Sequence, residues 1–125
     1  MKDLLLVSRD RRFRESCRTA LRPVKLRLLI FDDILDGMKE LNWYQVKLMI
    51  WDMEPQNIRE MKALAILRER YPELPLTLVL GAFERRHEFT RMANAVLSKS
   101  DSVKDIAKVA RKLVSNRVSS RPEPG

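Results

Sequence analysis

Five short apolar runs recur along this chain, each ending in polar residues and each followed by a segment whose apolar residues repeat at helical spacing. Leu4 to Val7 gives way to Ser8-Arg9-Asp10 and then to Phe13, Cys17, Ala20 and Leu21. Leu26 to Phe31 ends in Asp32-Asp33 ahead of Ile34, Leu35, Met38 and Leu41, a stripe that carries to Trp43. Val46 to Trp51 ends in Asp52-Met53-Glu54-Pro55, where Pro55 interrupts local structure before Met61, Leu64, Ala65 and Leu67. Leu76 to Leu80, entered through Tyr71-Pro72-Glu73-Leu74-Pro75 and ended by Gly81, precedes a polar helical segment from Phe83 to Met92. Ala95 to Ser98 precedes Val103, Ile106, Ala107, Ala110, Leu113 and Val114, with Asp101 or Ser102 as helix cap.

Strands that read as nearly continuous apolar runs, alternating with amphipathic helices, predict a parallel sheet covered on both faces: an α/β, doubly wound fold. Function in such sheets gathers beyond the carboxyl ends of the strands, where strand order reverses. That singles out Ser8, Arg9 and Asp10; Asp32 and Asp33; Asp52; Leu80 and Gly81; and Lys99. The 125 residues, 45% hydrophobic and 34% charged, suffice for one domain with one real core. We expect it to occupy residues 1–117, with 118–125 as a tail or linker stump. No apolar run approaches the roughly 18 residues needed to span a bilayer, so a cytoplasmic location away from membranes is expected. A single Cys17 excludes an internal disulfide, and with the single His87 it cannot build a Cys/His zinc site. No nucleophilic triad and no phosphate-cradling glycine loop is present, so no free-standing catalytic activity and no cofactor is expected.

The order of these features resembles the receiver domain of two-component response regulators, across about residues 2–117. The strongest match is Leu48-Met49-Ile50-Trp51-Asp52-Met53-Glu54-Pro55, with Lys99 after the fifth strand. The resemblance implies a flavodoxin-like five-stranded parallel sheet of order 2-1-3-4-5 with five helices. It also implies Asp52 at the phospho-acceptor position, Lys99 as the family's lysine, and an acidic pair after the first strand that helps hold Mg²⁺.

Several positions depart from that pattern. Ser8 and Arg9 stand where the acidic pair belongs, followed by Asp10. Mg²⁺ needs oxygen ligands, so Ser8 is a weak substitute and Arg9 is repulsive, and no metal is expected at the site. The arrangement expected instead is an Asp52–Arg9–Lys99 cluster in which the guanidinium takes the metal's electrostatic place. Leu80 stands where the family has a hydroxyl, with Gly81 next to it. Val96 stands at the switch aromatic, and Ser100 at the Pro after the lysine. The reading that follows is a pseudo-receiver: a noncatalytic signalling module that works through protein contacts, largely independently of phosphorylation. The alternative is a working receiver phosphorylated on Asp52, with Mg²⁺ held by Asp10 or by Asp32 and Asp33.

Charge supplies the most individual signal. The formal net charge is +8, and Arg9, Arg11, Arg12, Arg14, Arg18, Arg22, Lys25 and Arg27 crowd residues 9–27 against Asp10 and Glu15. The last helix adds Lys104, Lys108, Arg111, Lys112 and Arg117. In the receiver topology the first and last helices are neighbours, so these side chains merge into one basic flank. Candidate contact residues are Arg85, Arg86, Arg91, Lys104, Lys108, Arg111 and Lys112. The expected partners are an acidic protein surface, an output domain or a second copy of the chain. Without a helix-turn-helix, an aromatic RNA-binding pair or a zinc finger, nucleic acid is not expected as a partner of this domain alone.

Overall fold

The computed structural model of the chain describes residues 1–81, 91–99, 101 and 103–119, with side chains through Ser115. The elements are β1 (Asp3–Val7), α1 (Arg11–Ala20), β2 (Arg27–Phe31), α2 (Ile34–Glu40), a 3-10 turn (Trp43–Gln45), β3 (Val46–Asp52), α3 (Ile58–Arg70), β4 (Leu76–Leu80), β5 (Ala95–Ser98) and α4 (Val103–Ser119). All pairings are parallel, and the strand order is β2-β1-β3-β4-β5. The expected fold class and order are what the chain adopts. Four α-helices lie among the described residues; the expected helix from Phe83 to Met92 falls mostly outside them, with Arg85, Arg86 and His87.

The alternating direction of strand side chains divides the core in two. Leu5, Val7, Met49, Trp51, Leu76, Leu78 and Leu80 face α2 and α3, where Ile34, Ala63, Leu64 and Leu67 close the layer. Leu4, Leu6, Leu48, Ile50 and Val79 face α1 and α4, against Phe13, Cys17, Leu21, Ile106, Ala107 and Ala110. Cys17 is a buried core residue, and burial, aided by the negative charge of Asp52, pushes its thiol up to about 12. Strands β1, β3 and β4 are buried along most of their length, whereas β2, an edge strand, is half-buried. The stripe expected to carry α2 to Trp43 stops at Glu40. Leu41 and Asn42 adopt extended backbone, and the Asn42 side chain accepts the Tyr44 N–H to start a separate turn.

Helix starts follow cap chemistry. Asp10 accepts the Phe13 N–H, Asp33 the Leu35 N–H, and Asn57 the N–H groups of Arg59 and Glu60. Asp101, one of the two expected caps of the last helix, accepts the Ser98 N–H at 2.9 Å, and Ser102 lies outside the described residues.

At the opposite end of the sheet, Arg68 joins two loops that nothing in the sequence pattern connects. Its Nη1 donates to the carbonyls of Tyr71 (3.2 Å), Pro72 (3.3 Å) and Leu74 (2.6 Å). Its Nη2 donates to Asn94 Oδ1 (2.9 Å), and Nε to the Met92 carbonyl. Asn94 Oδ1 also accepts the Leu76 N–H, so the lead-ins of β4 and β5 are held together. Arg68→Met keeps the aliphatic stem and orphans these acceptors. It is expected to lower stability by about 2–3 kcal/mol in a urea titration.

Candidate functional site

The chain leaves β1 towards β2 on one side and returns to β3 on the other, so the sheet opens at the carboxyl ends of β1 and β3. Four of the singled-out residues meet there in a closed polar ring. The Asp10 backbone N–H donates to Ser8 Oγ at 3.1 Å, and the Ser8 hydroxyl donates to Asp52 Oδ2 at 2.7 Å. The Lys99 ammonium closes the ring, 3.0 Å from Asp52 Oδ2 and 2.9 Å from Asp10 Oδ2. Ser8 is fully buried and the Asp52 side chain is 11% exposed.

Each position follows from local structure. Asp52 is the last residue of β3, and Lys99 follows β5 with its N–H donating to the Leu80 carbonyl at 2.7 Å. The ammonium stands 5.8 Å from the centre of the Phe13 ring, a cation–π distance. Asp10 divides its carboxylate, Oδ1 capping α1 and Oδ2 holding Lys99. The Lys99 hydrogen bond, reinforced by the Phe13 N–H, holds the Asp10 carboxyl below its ordinary range. Desolvation pulls Lys99 down, but hydrogen bonds and charge from Asp10 and Asp52 outweigh it and hold the ammonium above its ordinary range.

The cluster differs from the expected one in its cation. Arg9 does not pair with Asp52; its Nη2 reaches Asp33 Oδ2 at 3.4 Å, with the Arg9 side chain 53% exposed at the rim. Lys99 stands between the two carboxylates, and the Arg9 guanidinium takes Asp33 as its partner at the rim. Ser8, weighed only as a metal ligand in the sequence, is instead the hydroxyl donor to Asp52. Asp32 pairs with Arg14 of α1, and Asp33 caps α2. Leu80 is buried in the core, Val96 packs against the same cluster, and Gly81 is exposed.

Mg²⁺, which the resemblance implies, does not fit the residues present. Among the described residues no three Asp, Glu, His or Cys side chains are placed to hold a metal ion. The gap between Asp10 and Asp52 is bridged by an ammonium.

One residue of this end was missed by the sequence reading. Glu60 is 7% exposed, accepts the Trp51 Nε1–H at 3.2 Å through Oε1, and has no hydrogen-bond partner for Oε2 among the described residues. It shares the cleft of about 260 Å³ above Asp52 with Asp10, Asp32, Glu54, Arg9 and Lys99. The signal was available: Glu60 stands in register with Ala63, Leu64 and Leu67 on the buried stripe of α3. Burial raises its carboxyl above the ordinary glutamate range, against the opposing pull of the Trp51 and Glu54 N–H groups and the Arg9 charge.

Two outcomes follow from this geometry. Ser8→Ala removes a hydrogen bond to a buried charge and orphans the Asp10 N–H, so it is expected to destabilise the protein by about 2 kcal/mol in denaturant titration. For Glu60 the folded state binds its proton more tightly than the unfolded state does. Its contribution to stability is therefore present at acidic pH and lost as pH rises from the ordinary glutamate range through the raised folded value. Glu60→Gln is expected to flatten that part of the profile and to melt higher than wild type at neutral pH, read by thermal scans across pH.

No protein-family model and no curated protein matches this chain. Solved structures do. A CheY-like response regulator receiver domain protein from Methanospirillum hungatei JF-1 superposes with a TM-score of 0.80 at 16% identity, over 96% of this chain and 98% of that one. The response regulator TrrA from Thermotoga maritima, in complex with Mg²⁺ and BeF, gives 0.77 at 18% identity over 90% and 99%. NtrX from Brucella abortus gives 0.79 at 20% identity, over 97% of this chain and 28% of that longer one. At such identities the likeness is one of fold: this chain folds as the CheY-like receiver domains of response regulators do.

Proposed function

We propose that this chain is a noncatalytic signalling module, a receiver-like domain that acts by contact with a partner protein or an output domain, largely independently of phosphorylation of Asp52. The observation that carries the reading is the closed ring of Ser8, Asp52, Lys99 and Asp10. A carboxylate attacks phosphorus only when the charge on the phosphoryl oxygens is offset, and in the receiver-like reading that is the task of a divalent cation. Here the cation between the two carboxylates is Lys99, fixed to the chain, and Ser8 and Arg9 supply no anionic ligand to replace it. Leu80 offers no hydroxyl to follow a phosphoryl group and Val96 offers no aromatic ring to turn. Both features support a domain with one resting state that serves as a docking unit.

The reading as a working receiver draws on one observation, the meeting of Asp52 and Lys99 at the carboxyl edge of the sheet. TrrA, in its complex with Mg²⁺ and BeF, shares the fold. The two readings separate in one experiment: intact-mass spectrometry after incubation with acetyl phosphate and Mg²⁺. Wild type is expected to remain unmodified, and Ser8→Asp/Arg9→Asp, which restores an acidic pair, is expected to gain a Mg²⁺-dependent phosphoryl adduct. A wild-type adduct that needs Mg²⁺ and disappears in Asp52→Asn overturns the proposal in favour of the working receiver.

A further inference from the structure

The fold sorts the basic flank into cations that are absorbed and cations that are not. Arg9 is held by Asp33, Arg14 by Asp32, Arg18 by Glu15, and Arg27 by the buried Asp3. Arg11, Arg12, Arg22 and Lys25 make no ion pair among the described residues, and neither do Lys104, Lys108, Arg111 and Lys112. All eight are exposed.

Their spacing is regular. Lys104, Lys108 and Arg111 repeat at i, i+4 and i+7, so they form one ridge along the outer face of α4, with Lys112 beside it. Arg11 and Arg22 stand eleven residues apart on one side of α1 and the turn that ends it, with the paired Arg18 between them. Both helices start at the carboxyl edge of the sheet and run back along the same face, and they pack on each other. The two ridges are therefore parallel, with axes about 8–10 Å apart.

What the flank lacks narrows its partner. The exposed large apolar residues among those described are Met1, Tyr44, Ile58, Ile66 and Met92, none of them on α1 or α4. Protein interfaces are anchored by desolvated apolar, aromatic and arginine side chains, and among the described residues this flank offers arginines but no exposed large apolar or aromatic side chain. It also presents no exposed aromatic ring for stacking unpaired bases; Phe13, the aromatic residue of α1, is buried. A phosphodiester duplex asks for neither anchor, since displaced counterions supply the affinity. The phosphate rows bordering the minor groove of B-form DNA face each other across about 6 Å. Two cation-bearing helices side by side suit two closely facing phosphate rows, whereas the wide, shallow minor groove of RNA duplexes sets its rows farther apart.

We infer that the α1–α4 flank binds the phosphate backbone of double-stranded DNA without reading its sequence. This departs from the expectation that nucleic acid is no partner of this domain: the lack of a base-reading motif bears on base readout alone, and a backbone contact needs no base edges. The inference is independent of whether Asp52 accepts a phosphoryl group.

The test is fluorescence anisotropy of a labelled DNA duplex titrated with the full chain over a KCl series. Affinity is expected to fall steeply with salt, with a log–log slope of about −4 for four or five neutralised phosphates. Lys104→Glu/Lys108→Glu is expected to weaken binding at least tenfold. Lys62→Glu/Arg70→Glu, which changes net charge equally at exposed positions of α3 on the other face, is expected to leave it within twofold. Lys104→Gln/Lys108→Gln provides the same comparison with a smaller loss should the reversal variant fail to fold. Equal losses for both faces, salt-insensitive or absent binding, or equal or tighter binding to duplex RNA, poly-glutamate or anionic lipid vesicles would overturn the proposal.

Discussion

An ammonium shared by two carboxylates organises the functional end of this protein. Lys99 reaches from the end of β5 across the sheet edge to Asp52 at the end of β3 and to Asp10 after β1, so one cation ties three strand ends and the start of α1 together. Its charge faces the nearly buried Asp52 carboxylate, and the Ser8 hydroxyl adds a hydrogen bond donor without adding charge. The same pairing accounts for the depressed Asp10 carboxyl and the elevated Lys99 ammonium. Removing Ser8 or Lys99 takes a partner from the nearly buried Asp52 carboxylate, which is costly where water cannot replace it.

Beneath that ring a second polar element is built differently. Trp51, next to Asp52 in β3, points to the opposite layer and donates to Glu60, a buried carboxyl that has kept one oxygen unpaired among the described residues. In the ring one lysine offsets part of the charge of two carboxylates, whereas burial raises the Glu60 carboxyl above its ordinary range. The Asp10 carboxyl is lowered by its lysine and its helix N–H, and the Glu60 carboxyl is raised by burial.

Most of the fold was legible because its strongest signal is periodic. Apolar runs of strand length followed by helical stripes require a parallel sheet with both faces covered, and five such units leave few ways to connect them. The ends of the strands then named Ser8, Asp10, Asp52 and Lys99 together. What the sequence left open was pairing between residues far apart in the chain. Arg9 and Lys99 both carry the charge to face Asp52, and only the fold shows that the lysine fills the gap and the arginine turns to Asp33. Arg27 reads as part of the basic flank until Asp3, its register partner across β1 and β2, claims it in a two-point ion pair. Glu60 was hidden for the reverse reason: a charged residue on an apolar stripe reads as an interruption, although its register placed it inside.

On the reading proposed above, Lys99 holds the place a divalent cation would need. Amide NMR of the full chain titrated with Mg²⁺ tests this most directly. The signals of Ser8, Arg9, Asp10, Asp52, Met53, Gly81 and Lys99 are expected to stay unmoved through millimolar Mg²⁺. Saturable shifts at those residues that disappear in Asp52→Asn would contradict it, since they would mean that the metal displaces the ammonium.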